Sequence, residues 1–248
     1  MQKILIVKTG STLPALSAQR GDFEDWFISG MGLGRDQVMI VDVCKGAPLP
    51  TFNKISGAVI TGSHDMVTDR LAWSERTAEW LHGAVEAGLA ILAVCYGHQL
   101  LAHALGGEVD YNPRGREMGT VDVFLTEEAN GDELLGNYRS PIQVQVSHAQ
   151  SVVQLPKNAT RLGWSQDDSN QAFRIGKRVW GLQFHPEFDK EIVQIYINYH
   201  REALIKEGQD PDALIRNSED TEFGRQILKR FAQLVQSQEC PFFDSIFL

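Results

Sequence analysis

Cys95 stands where an apolar run, Ala90–Val94, meets a segment of helical spacing that carries Leu100, Leu101, Ala104 and Leu105 on one face and stops at Gly106-Gly107. The small residues Ala93 and Gly97 flank it two positions away on either side. A strand, a sharp turn and a helix in that order present a nucleophile above a sheet, here a thiol where related elbows carry a hydroxyl. The helix N-terminus favours the thiolate, and the free amides of the turn can hold a developing oxyanion. Position alone leaves open a buried structural cysteine, because free cysteines are commonly buried. The separation comes from a second segment, VWGLQFHPEF over 179–188. There a strand runs into His185-Pro186-Glu187. Pro186 fixes the backbone, so the imidazole and the carboxylate have a set relation. A carboxylate so placed can orient the ring and stabilise imidazolium. Cys95, His185 and Glu187, each at a strand end, form a nucleophile–base–orienter set.

Such a set needs a scaffold that gathers strand ends. Lys3–Val7, Gln37–Val43, Gly57–Thr61 and Leu89–Val94 are continuous apolar runs, as expected of strands covered on both faces. Helical patterns lie between them over Asp22–Met31 and Trp73–Ala87. Strands alternating with helices predict βαβ units and a parallel sheet, whose sites lie at the carboxyl ends of the strands. After Gly107 the pattern changes to short β-rich runs: Val121–Leu125, Ile142–Val146, Ser151–Gln154, Arg161–Trp164, Ala172–Ile175 and Val179–Phe184. These extend the sheet and add an antiparallel layer. Two helical segments, Lys190–His200 and Glu222–Gln236, close the chain, with a break at Gly208–Pro211. The fold class expected is α/β, an open and mostly parallel flavodoxin-like sheet flanked by helices. Residues 1–248 are read as one domain, with 201–248 a C-terminal helical extension.

Composition narrows the function classes. The 248 residues carry 23 Lys+Arg against 32 Asp+Glu, a net charge of −9, which does not favour nucleic-acid backbones as partners. No run of 18 apolar residues suggests a membrane span. The N-terminal MQKILIVKTG reads as a first strand rather than an export signal. Three cysteines without C-x-x-C spacing give neither a disulfide framework nor a zinc ribbon, and the expected compartment is the reducing cytoplasm. Cys44 reads as a buried strand-end thiol and Cys240 as incidental. His98 and His103 are about 140° apart on a helical wheel and share no face. His64, with Asp65 and Asp69 near, reads as a solvated loop rather than a metal pair. Trp73 and Trp80 read as core, and Asp210–Asp220 as a solvated surface. No metal and no organic cofactor is expected.

Three blocks together resemble the class I, triad-type glutamine amidotransferases, and most closely their stand-alone, GMP-synthetase-like domains. Cys95-Tyr96-Gly97-His98-Gln99 is similar to the nucleophile block, His185-Pro186-Glu187 to the His/Glu block, and Ile60-Thr61-Gly62-Ser63 to the oxyanion-strand block. The resemblance covers about residues 1–200. It implies an oxyanion hole from the amides of Tyr96, Gly62 and Ser63. It implies glutamine contacts from Gln99, from the Ser147-His148 turn, and from the backbone of Ala149 and Gln150. Arg116-Glu117-Met118-Gly119 resembles a substrate-side loop. Ala93 stands where the family often has Gly, and Thr61-Gly62-Ser63 where it often has Gly-Gly-Pro. The last 48 residues hold no synthetase domain and are only enough for two helices. The activity implied is cleavage of the glutamine γ-amide through a Cys95 thioester, with a separate synthetase subunit as the ammonia-taking partner. The alternative is hydrolysis of γ-glutamyl peptides or conjugates by the same set, and a non-catalytic binding module is the third reading.

Overall fold

The computed structural model describes residues 2–136 and 138–237. Its strands are β1 (Lys3–Lys8), β2 (Val38–Asp42), β3 (Ile55–Ile60), β4 (Ala90–Val94), β5 (Glu108–Tyr111), β6 (Glu117–Leu125), β7 (Ile142–His148), β8 (Gln150–Gln154), β9 (Ala159–Trp164), β10 (Ala172–Ile175) and β11 (Val179–Leu182). Its helices are α1 (Pro14–Arg20), α2 (Phe23–Met31), α3 (Ala72–Glu86), α4 (Tyr96–Ala104), α5 (Lys190–Tyr199), α6 (Arg201–Lys206), α7 (Pro211–Arg216) and α8 (Phe223–Gln236).

Nine strands form one sheet in the order β2-β1-β3-β4-β11-β10-β9-β6-β7, and β5 pairs with β8 in a separate two-stranded ladder. The run from β2 to β11 is parallel, and from β11 to β7 every pairing is antiparallel. Most of the antiparallel strands therefore lengthen the parallel sheet edgewise, and only β5–β8 stands apart from it. The continuous apolar runs have the predicted cause. Along β1, Ile4 and Ile6 enter the core on the face covered by α2 and α8, while Leu5 and Val7 enter the core under α3 and α4. A third cluster joins Phe23 and Trp26 of α2 to Phe188, Tyr196 of α5 and Leu204 of α6. It lies beside the carboxyl ends of the strands. Among the described residues no helix is long and apolar enough to cross a membrane.

Several elements differ from the sequence expectation. Between β11 and residue 237 the chain makes four helices, not two, because α6 and α7 have six residues each and are too short for a periodic stripe to show. Asp210 caps α7 through its side chain and Pro211 opens it. The stretch read as solvated surface thus buries Pro211 and packs Leu214 and Ile215 against the third cluster. α1 buries only Leu16, and β5 only half-buries one residue, so neither left a pattern. Cys44 is exposed rather than buried. β2 is an edge strand ending at Asp42, whose side chain caps the following turn, so the thiol falls outside the sheet. Partial desolvation and the nearby Asp42 and Asp65 push that thiol up to about 11. Lys45, paired with Asp42 at 3.0 Å, acts to lower it but is outweighed. Trp73 and Trp80 are half-buried against the core rather than within it. Cys240 lies outside the described residues.

Candidate functional site

β4 and β11 run parallel in register, Val94 opposite Leu182, so the segments that leave them emerge side by side. The Cys95 N–H donates to the Leu182 carbonyl at 2.8 Å and ties the elbow to that neighbour. Cys95 has φ 51°, a left-handed conformation that a non-glycine side chain adopts only where the surroundings impose it. The turn is imposed partly by Gly97. A Cβ there would lie 2.7 Å from the Ile60 carbonyl oxygen, so only glycine lets α4 start this close to β3. The Cys95 thiol is buried and faces the Ser147 carbonyl at 3.8 Å.

The second strand end brings the base. The His185 N–H donates to the Gln145 carbonyl at 2.8 Å, and the ring stacks on Phe188 with centroids 4.0 Å apart. Its Nδ1 meets Glu187 Oε1 at 2.7 Å. Nε2 is left over, and Cys95 is near enough for its charge to act on the ring. Burial disfavours a charged ring here, but Glu187 and Cys95 outweigh it, and the imidazolium pKa is pushed up to about 10. The Glu187 side chain is wholly buried, and its Oε2 has no hydrogen-bond partner among the described residues.

The loop after β3 forms the third side. A Cβ on Gly62 would stand 3.1 Å from His185 Cε1 and 3.8 Å from Cys95 Cβ, so this glycine lies directly against both side chains. Its carbonyl is fixed by the Thr9 and Thr61 hydroxyls at 2.9 and 3.1 Å. Ser63 follows and packs against Gly10, where a Cβ would lie 2.8 Å from Ser63 Oγ. Among the described residues, the amides of Gly62, Ser63 and Tyr96 donate to no protein acceptor.

The remaining expected contacts line the same small cavity, of about 60 Å³. The Gln99 amide donates to the Gln150 carbonyl at 2.7 Å and to Gln183 Oε1 at 3.0 Å, which pins α4 to β8. Ser147 and Ala149 border the cavity, and the Gln150 amide reaches Thr68 Oγ1 at 2.6 Å. The His148 ring is turned into the protein. Its Nδ1 donates to the Gln150 carbonyl at 3.0 Å and its Nε2 to Glu117 at 2.9 Å. Burial opposes a charge on this ring too, but Glu117 raises its pKa.

Further side chains line the cavity, among them His64, Tyr196, His200 and Arg116. His64 stacks on Tyr196 with centroids 5.6 Å apart, and His200 and Arg116 lie beyond them. The sequence places Tyr196 and His200 in the helical segment Lys190–His200 with no role in the site, and His64 in a solvated loop. The signal that could have found them is the run of polar-tipped rings, Tyr196, Tyr199 and His200, that ends the helix next to the His/Glu block. His98 is wholly buried against Phe173, 4.8 Å between ring centroids, and burial drives its pKa down to about 4. Among the described residues no group of three or more His, Cys, Asp or Glu side chains could hold a metal ion.

Known proteins resemble this chain in sequence and in fold. A glutamine amidotransferase-like protein of Schizosaccharomyces pombe is 28% identical over 171 residues, 68% of this chain and 67% of that protein. Gamma-glutamyl peptidase 3 of Arabidopsis thaliana is 29% identical over 183 residues, 70% of this chain and 72% of the peptidase. The GMP synthase of Christiangramia forsetii is 39% identical over 104 residues, 42% of this chain, but the match spans only 20% of that enzyme. A solved glutamine amidotransferase of Thermotoga maritima superposes with a TM-score of 0.72 over 96% of this chain and 98% of its own; at 19% identity it speaks for the fold alone. The family profile for class I glutamine amidotransferases matches residues 43–196, a stretch that holds the Gly62 loop, the Cys95 elbow and His185-Pro186-Glu187 alike, and the chain belongs to that family.

Proposed function

We propose that the protein hydrolyses the γ-amide of glutamine through a γ-glutamyl thioester on Cys95, releasing ammonia and glutamate. The observation that carries this reading is the positive-φ elbow holding Cys95 beside a histidine whose Nδ1 is taken by Glu187. The Cys95 thiolate attacks the γ-carbonyl. The oxyanion of the tetrahedral intermediate is received by the amides of Tyr96, Gly62 and Ser63, which have no other acceptor among the described residues. One such donor is worth about 3–4 kcal/mol in the transition state. His185 gives its Nε2 proton to the leaving nitrogen, and ammonia departs as the thioester forms. His185 then takes a proton from water, which attacks the thioester; glutamate leaves and the thiolate is restored. Glu187 keeps the ring in the productive orientation throughout. Gln99 and the 147–150 turn hold the glutamyl head. Each step uses the chain's own groups. A free thiol as nucleophile suits a reducing compartment, and we assign the cytoplasm.

A second reading has its own support. Beside His185 the cavity is also lined by His64, Tyr196 and His200, side chains to which ammonia release gives no role. The peptidase relative also aligns over most of its length, whereas the GMP synthase aligns over a fifth. The same steps then cleave γ-glutamyl peptides, with an amine in place of ammonia. In the glutaminase version a separate synthetase subunit takes the ammonia. The test is product release by the purified protein and its Cys95→Ala variant, with glutamine and a panel of γ-glutamyl peptides. Cys95-dependent ammonia from glutamine supports the first reading, and Cys95-dependent peptide cleavage with little glutamine turnover supports the second. Activity that survives Cys95→Ala undiminished would sink both.

A further inference from the structure

We propose that Arg116 selects γ-glutamyl compounds whose leaving amine carries a carboxylate, its guanidinium binding that carboxylate at the mouth of the cavity. The inference rests on the hydrolase reading above and names the substrate class of the same site.

The direction of the leaving group follows from the proton transfer. The leaving nitrogen must meet His185 Nε2, so its substituent runs along the wall that His185 begins. That wall is a continuous series of rings. Tyr196 and His64 line the cavity with His185, His64 stacks on Tyr196 at 5.6 Å, and Phe188 backs the wall from inside, 4.0 Å from the His185 ring and 5.1 Å from Tyr196. His200 comes next and feels the charges of both His64 and Arg116. We assign the glutamyl head to other lining groups, those of Gln99, Ala149 and Gln150.

Arg116 ends the series in an unusual state for a cavity-rim arginine. Long cationic side chains ordinarily carry the charged head out into water. The Arg116 side chain is only 17% exposed, and its buried Nε makes no hydrogen bond. The carboxylate nearest to it, Glu207, stands 3.7 Å from Nε, beyond hydrogen-bond reach, and one Glu207 oxygen accepts the Arg116 backbone N–H at 3.3 Å. Gln209 grips the Arg116 carbonyl at 2.6 Å, so the backbone that carries the guanidinium is fixed by the α6–α7 segment. Arg116 is the only lysine or arginine among the described residues lining the cavity. Burial, Arg116 and His64 hold His200 down at about 4, so that ring stays neutral beside it. The cavity carboxylate Asp65 interacts with Tyr96 and His64 instead. A planar fork of donors whose Nε makes no hydrogen bond among the described residues is suited to a carboxylate. Ammonia offers it nothing, whereas a leaving amino acid or short peptide brings the matching charge.

The test compares leaving groups that differ only in that charge: γ-glutamylglycine with γ-glutamylglycinamide, and the glycylglycine pair likewise. In the wild type the free acids are expected to have a kcat/KM roughly ten-fold or more above the amides. Arg116→Met should collapse that ratio towards one, and Arg116→Lys should restore part of it. The wild-type comparison needs no variant to fold. No preference for the acid in the wild type, or equal losses for acid and amide in Arg116→Met, would overturn the assignment and leave Arg116 to the glutamyl head or the fold. Absence of any cleavage lost in Cys95→Ala would instead overturn the hydrolase reading beneath it.

Discussion

Two buried histidine–carboxylate pairs lie within one cavity wall of each other and have opposite characters. His185 meets Glu187 at 2.7 Å, and His148 meets Glu117 at 2.9 Å. All four side chains are at most 5% exposed, and burial opposes a charge on either ring. The difference lies in what each pair has left over. Both nitrogens of His148 face acceptors, Glu117 and the Gln150 carbonyl, so the ring is a saturated donor. Glu117 is saturated as well, by Ser165 at 2.6 Å and Gln171 at 2.5 Å. That cluster ties β6, β7 and the segment after β9 together beneath the 147–150 turn. His185 spends one nitrogen on Glu187 and keeps the other for Cys95, and one Glu187 oxygen has no hydrogen-bond partner. A pair that is complete within itself can only hold structure, while a pair with a free nitrogen at a cavity can move a proton.

The sharpest way to break that contrast is to remove the free nitrogen. His185→Gln still offers Glu187 an amide donor but cannot shuttle a proton. It is expected to lower kcat/KM about 10⁴-fold with the circular dichroism spectrum unchanged. A loss under ten-fold would mean that His185 is no more reactive than His148. Glu187→Gln comes next, with a loss of about 10³-fold through the wrong ring orientation. It also removes the main charge that raises the His185 pKa to about 10, so the alkaline limb of the kcat/KM profile should move to lower pH. An alkaline limb that stays in place would show that Glu187 does not govern the ring.

The two pairs also differ in how far they can be read without coordinates. His185 and Glu187 are two residues apart around a proline, and Cys95 directly ends an apolar strand, so short windows suffice to find them. Glu117 and His148 are 31 positions apart and meet only because β6 and β7 pair in antiparallel register, Glu117 opposite His148. A window over 147–150 gives the turn but not the buried imidazole. The same limit applies to the fold. The runs that become β1 and β4 are apolar because both faces are covered, and that is a local property. The helices α6 and α7 are set by where the third cluster needs Leu204 and Leu214, which is a property of the packed molecule. His64 and His200 join the site for the same tertiary reason.

Removing Glu117 tests the structural half of the contrast. Glu117→Ala strands His148, Ser165 and Gln171 in the interior, and breaking a buried ion pair by deleting one partner costs about 3–5 kcal/mol. The urea midpoint should fall accordingly, and any loss of activity should follow the loss of folded protein. A destabilisation under about 1 kcal/mol would show that the cluster is not what fastens β6 to β7.

The smallest effect, read per pH unit, is the pH dependence of stability, and it separates the two pairs from the other histidines. His98 and His200 are each held at about 4 in the folded chain, His98 by burial and His200 by burial with Arg116 and His64. An unfolded histidine titrates near 6.5, so below that value the unfolded chain binds protons that these two rings refuse, and stability falls as pH drops towards 4. His200 is only half-buried and contributes the smaller share. His185 and His148 have raised values, so the folded chain keeps protons that the unfolded chain sheds above about 6.5. Their contribution is fully present below 6.5 and is lost as pH rises, for His185 over the window up to about 10. Each group can tilt the unfolding free energy by at most about 1.4 kcal/mol per pH unit. Urea unfolding at about pH 5, 6.5 and 8 should therefore give a maximum near the middle value. Glu187→Gln and Glu117→Ala should each flatten the alkaline side and leave the acid side alone, because the acid side belongs to rings that neither carboxylate touches. An alkaline side unchanged in both variants would mean that neither pair holds an imidazolium, and the distinction between a working pair and a structural one would have to rest on geometry alone.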